Sequence, residues 1–285
     1  MKTLDKIRHL LESISEELLE IIRNVPINRM GRGNSRVIVI APECYWGDLS
    51  AEQKNDQIRL KRKYDQISEV IIALLRNAPK DIEKEIKDAD ARYRTWLEFD
   101  SNWSLKPTPA ENEARFREDV ESIHKIINVL SSGKDNDEII IPDTNSIMFN
   151  PDPTDYRKFT GAGQFKFLLL PTVLNELDEL KILHRNPDVR EKANKCIKRI
   201  KGWRAQGSLQ EGVTVDGNIK ISAAYQEPDM ENTLSWLDKD NCDDRIVASV
   251  LAIQAEFPNS KVILVTGDIN LQNKADAAFI EVGEI

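Results

Sequence analysis

The chain reads as an α/β protein in two parts. A mostly helical segment over about residues 1–135 precedes a domain over 136–285 built on a parallel sheet with helices on both faces. Three observations predict this. In the N-terminal half, Leu4, Ile7, Leu11, Ile14, Leu18, Ile21 and Val25 recur every three or four residues, which puts one apolar stripe on a helix. After the polar stretch SSGKDNDE at 131–138 the pattern changes, and short apolar runs of strand length alternate with helical patterns. Those runs lack the polar alternation of a half-exposed strand, as expected for parallel strands covered on both faces.

Each element follows from local signals. The first helix, over 4–25, stops at the breaker PINRMGRGNS, and VIVIAPECYW (37–46) behind it reads as a strand or a buried connector. Three helical patterns, at about 52–77, 80–99 and 110–131, are separated by proline-bearing breaks at Pro79 and at Pro107 and Pro109. In the second half, EIIIPD, FKFLLLP, VTV at 213–215, KVILVTGD and FIEV read as strands. Helices are expected near 172–184, 188–203, 243–256 and 270–277.

Composition excludes several classes. With 285 residues, two domains is the natural prior. The net charge of −8 is uneven: residues 1–135 hold 23 basic and 24 acidic side chains, residues 136–285 hold 17 and 24. A generally basic nucleic-acid surface is therefore not expected, although a local basic groove is compatible with this balance. Cys44, Cys196 and Cys242 are odd in number and widely spaced, so a disulfide framework is not expected. The N-terminal stretch carries acids throughout and lacks a cleavage site, and no apolar run reaches the roughly 18 residues of a membrane span. A cytoplasmic protein with no membrane partner is the expectation.

Four acids stand at the edges of apolar segments: Asp143 in IIIPDTN, Glu176 in VLNELDEL, Asp244 in NCDDRIV and Asp268 in VILVTGDINL. An ionised carboxylate in a low-dielectric setting must be paired, neutralised or bound to metal. No lysine or arginine recurs beside all four, so one oxygen-rich site for Mg²⁺ or Mn²⁺ assembled from distant segments is the economical reading. Each acid also has a plain local role to fill. Asp143 and Asp268 suit turns, Glu176 a helix's first turns, and Asp243 an N-cap, with Asp243 also a second candidate ligand. Asn145, Thr266 and Asn270 are candidate supporting groups. The helix over 188–204 concentrates positive charge, and Lys195, Lys198, Arg199 and Arg204 are candidate phosphate contacts or simply a solvated face. RLKRK at 59–63 is as much surface as groove, and Trp203 suits packing better than stacking on a base.

These motifs resemble those of PIN domains, a family of metal-dependent nucleases, over about residues 137–285. Asp143 in IIIPDTN is similar to the family's first acid at the end of a strand, and Glu176 in PTVLNELDEL to its second. Asp244 in CDDRIVA resembles the third, where the doubled Asp243 and Asp244 leaves the register open by one. Thr266, Asp268, Asn270, Leu271, Lys274 and Ala275 in TGDINLQNKA resemble the segment of the fourth. The 67 residues between Glu176 and Asp244 imply an insertion around 205–235.

The resemblance implies a Rossmann-like, three-layer PIN fold and a metal-dependent endoribonuclease acting on single-stranded RNA. Asp143, Asp244 and Asp268 would be ligands to Mg²⁺ or Mn²⁺, with Glu176 a further ligand or the base. A homodimer and an antitoxin-like or regulatory protein are the implied partners. The helical half would gate access, position RNA or bind a partner. A catalytically silent RNA-binding or protein-docking module is the alternative.

Overall fold

A computed structural model describes residues 2–29, 42–101, 104–132, 137–161 and 163–284. Residues 37–41 of VIVIAPECYW and 133–136 of the polar stretch lie outside them. The chain forms two compact units. One comprises Met1–Lys6, Ala73–Asn77 and Ser131–Ile285, the other Ile7–Ile72 and Ala78–Leu130.

The N-terminal region is helical, as its apolar spacing predicts. It holds α1 (Thr3–Asn24), α2 (Ala51–Leu74), α3 (Lys80–Leu97) and α4 (Pro109–Leu130). All seven stripe residues of the first periodic pattern are buried. In the helical unit Tyr64 stacks on Tyr93 with centroids 4.1 Å apart, and Phe116 packs against Tyr93 and Trp96. The helices part at Pro107 and Pro109 as expected, and Pro109 itself opens α4, where its missing N–H costs nothing. The stretch read as a plain breaker contains β1 (Ile27–Arg29), which pairs antiparallel with β2 (Cys44–Trp46).

The C-terminal region contains β3 (Glu138–Pro142), α5 (Thr144–Phe149), a 3-10 helix (Pro153–Phe159), β4 (Phe165–Leu169), α6 (Pro171–Leu183) and α7 (Pro187–Arg204). There follow β5 (Val213–Val215), β6 (Ile219–Ala223), α8 (Cys242–Glu256), β7 (Lys261–Val265), α9 (Ile269–Ala277) and β8 (Glu281–Gly283). These strands form a six-stranded sheet in the order β5-β6-β4-β3-β7-β8, parallel except for the β5–β6 hairpin. Ile139, Ile140, Ile141, Phe167, Leu169, Leu264 and Val265 are fully buried, which accounts for the uninterrupted apolar runs.

In this region three elements depart from expectation, the 3-10 helix among them. Residues 219–223, inside the stretch assigned to an insertion, form β6, an interior strand in parallel register with β4. The short α5 is a second, because six residues carry too little periodicity to declare a helix.

Strand order fixes where a site can form. The chain crosses from β3 to β4 to β6 in one direction, then returns past β3 to β7 and β8. Right-handed crossovers put α5, α6 and α7 on one face of the sheet and α8 and α9 on the other. The direction reverses between β3 and β7, and the loops leaving their carboxyl ends part there to open a crevice. Asp143 follows β3 directly, and Asp268 lies three residues beyond β7.

Candidate metal centre at the sheet switch point

Asp143 extends the ladder of β3, its N–H donating to Val265 O at 2.9 Å, and it also caps α5. Its Oδ1 accepts from Ser146 N at 2.6 Å, and its Oδ2 accepts from the Thr266 hydroxyl at 2.5 Å. The Ser146 hydroxyl donates to Val265 O at 3.0 Å, pinning α5 to the end of β7. Asp143 is 4% exposed, and both oxygens face neutral donors; no cationic side chain contacts it among the described residues. The turn role and the candidate site role thus fall on the same side chain. Burial drives the Tyr156 phenol well above its ordinary pKa, and the nearby Asp143 charge adds to the effect.

Thr266 joins two of the acids. Its hydroxyl donates to Asp143 and accepts from Asp268 N at 3.0 Å. Asp268 itself is exposed and is the N-cap of α9, its Oδ1 accepting from Asn270 N at 2.7 Å and Leu271 N at 3.1 Å. Glu176, half-buried on α6, accepts from the Thr144 hydroxyl at 2.6 Å, so the residue after Asp143 reaches the second acid. The Cys242 thiol at the start of α8 is raised by burial and then by the Glu176 charge. Asn145 lies exposed on α5.

The doubled acids divide differently from the sequence reading. Asn241, not Asp243, caps α8, its side chain accepting from Asp244 N. Asp244 is 5% exposed; its Oδ2 accepts from Asp238 N at 2.9 Å and its Oδ1 stands 2.7 Å from Lys274 Nζ. Asp243 turns toward α9, where its Oδ2 lies 3.2 Å from Asn270 Nδ2 and 3.4 Å from Lys274 Nζ. Burial alone would lower the Lys274 pKa, but the contacts with Asp244 and Asp243 outweigh it and raise it, so the ammonium stays charged. Lys274, Ser146, Tyr156 and the Asp238 N–H are parts of this arrangement whose roles are not legible in the sequence. Only Lys274 had left a trace, as a motif position.

The other predicted contacts are less concentrated. On α7, Lys195 pairs with Glu191 at 2.8 Å and Arg199 with Asp152 at 3.0 Å, while Lys198 and Arg204 are exposed. Trp203 is buried, edge-on to Phe167, and serves packing. In RLKRK, Arg59 and Lys63 pair with Glu17 and Lys61 with Glu98, which marks a surface of ion pairs.

Whether these residues suit a divalent cation turns on their chemistry. Among the described residues, no three acids, cysteines or histidines converge closely enough to enclose an ion as the side chains lie. The donor set is nonetheless all carboxylate oxygen, as hard cations require. Asp143, buried without a cation, is the kind of group that an ion would compensate.

No helix among the described residues is long and apolar enough to cross a membrane. A comparison with curated proteins finds no match. A family model described as PIN domain matches residues 140–285. PIN domains are generally nucleases and typically use divalent metals. The match covers just over half of the chain, including Asp143, Glu176, Asp244 and Asp268, and the chain belongs to the PIN domain family.

Proposed function

We propose that this protein is a metal-dependent endoribonuclease that hydrolyses phosphodiester bonds of single-stranded RNA at the crevice between β3 and β7. The observation that carries the reading is Asp143, a buried carboxylate at the switch point whose partners are all neutral. Asp143, Glu176, Asp244 and Asp268, with Asp243 beside them, would hold Mg²⁺ or Mn²⁺. When bound, such an ion activates water and neutralises charge on the phosphate and the leaving oxygen.

The chain's own residues supply the rest. Ser146 N and Thr266 fix the Asp143 carboxylate, so it need not reorganise on binding. Glu176, half-buried and held on one oxygen by Thr144, keeps its other oxygen for a metal contact or for taking the attacking water's proton. Lys198 and Arg204, with Lys195 and Arg199 once released from their partners, attract the RNA phosphates.

A non-cleaving RNA-binding or docking module is the second reading, favoured by one observation: Lys274 already neutralises Asp244. The test is cleavage of end-labelled single-stranded RNA with Mn²⁺, Mg²⁺ or EDTA by the wild type, Asp143→Asn and Asp244→Asn. Cutting that requires metal and disappears in both variants is the expected result. Equal cutting in all three proteins would reveal a contaminant, and RNA binding without cutting would favour the silent module.

A further inference from the structure

Of the two buried acids at the site, Asp143 meets only neutral donors, whereas Asp244 has a cation of its own. Lys274 Nζ lies 2.7 Å from Asp244 Oδ1 and 3.4 Å from both Asp243 Oδ2 and Asn241 Oδ1. The other Asp244 oxygen is taken by the Asp238 N–H, so the oxygen facing Lys274 is the one left for a ligand. The lysine side chain is 18% exposed, and it springs from α9, whose start Asp268 caps. The ammonium thus occupies the carboxylate faces that a divalent ion would need. Its single charge stands against two carboxylates.

We infer that Lys274 is a tethered counter-ion that offsets part of the charge of the Asp243–Asp244 pair before metal enters, and that a divalent cation must displace it. The inference rests on the metal-dependent reading proposed above. A lysine suits the role because its compact charge sits on a flexible four-carbon stem, which can swing to solvent without moving the helix. The exchange also explains why the acids do not converge on one point: Asp244 and Asp243 are turned to the ammonium, while Asp143 is held by Thr266 and Ser146. A charge of two in place of one gains more from the same carboxylates, and the freed ammonium recovers its hydration.

Two measurements on the full chain test this. Titration calorimetry with Mn²⁺ is expected to show binding on the order of tenfold tighter in Lys274→Gln than in the wild type. Lys274→Arg, which keeps the charge, should stay near the wild-type value. In the wild type, acetylation of Lys274 by an amine-reactive reagent, read by mass spectrometry, should rise when Mn²⁺ is added. That measurement decides the matter alone if Lys274→Gln does not fold. Weaker or equal Mn²⁺ binding by Lys274→Gln, or unchanged labelling, would overturn the inference and assign Lys274 to orienting Asp244. Asp143→Asn separates the two readings. If the wild type binds Mn²⁺, Asp143→Asn does not and Lys274→Gln gains nothing, only the lysine inference fails; if neither the wild type nor Lys274→Gln binds Mn²⁺, the metal-dependent reading fails with it.

Discussion

The acids of the helical unit and those at the sheet's switch point are treated differently by their surroundings. In the helical unit, Arg94 bonds Asp65 at 2.5 Å and Asp90 at 2.8 Å, Arg92 bonds Asp119 at 2.8 Å, and Arg23 bonds Glu113 at 2.6 Å. Each of these four carboxylates has a guanidinium, and its job is finished when the helices are in register. At the end of β3, Asp143 is more deeply buried than any of these and has none. A buried carboxylate with neutral donors but no cation adds little to stability, and the metal-dependent reading proposed above rests on that contrast.

Neutralising one acid of each kind tests this difference most directly. Asp143→Asn keeps an acceptor for Ser146 N and is expected to lower metal-dependent RNA cleavage by at least about a hundredfold while the fold persists. Asp90→Asn should leave cleavage unchanged, and a comparable loss there would erase the distinction. Next in size is Thr266→Val, which strips a donor from buried Asp143 and an acceptor from Asp268 N. Urea unfolding should show a loss of about 1–3 kcal/mol, restored by Thr266→Ser. Asp90→Asn should cost about 1 kcal/mol by the same measurement, through weakened bonds to Arg94 and Ser68.

The smallest effect concerns pH. Arg23, with Arg117 beside it, holds the Glu113 carboxyl down at about 2 from an ordinary 4.5. A depressed carboxylate stabilises the fold above its unfolded pKa, and that contribution fades as pH falls from about 4.5 toward 2. The urea midpoint of Glu113→Gln should therefore fall less across that interval than that of the wild type. Because the pair is on the surface, added salt should shrink the difference.

Much of the fold was legible because its signals are local and repeated. Long helices declare themselves by spacing, and covered parallel strands by unbroken apolar runs. The elements missed lack that redundancy. β1 and α5 are three and six residues long. β6 had a readable sign, since Asp216 and Gly217 both take positive φ in the turn between β5 and β6, where an Asp-Gly pair is favoured. Its place inside the sheet, against β4, left no mark on the sequence.

The run of helices, the succession of buried strands, and the acids that lie where those elements begin or end can all be read from the sequence. Apolar periodicity and chain direction are properties of neighbouring residues, so no third dimension is needed to read them. That Thr266 joins Asp143 to Asp268, that Thr144 reaches Glu176, and that Lys274 rather than solvent meets Asp244 follows only from how the elements pack. Those pairings span up to 123 residues and depend on β7 returning to lie beside β3. Strand order, set by how the whole sheet buries its faces, determines which charge meets which.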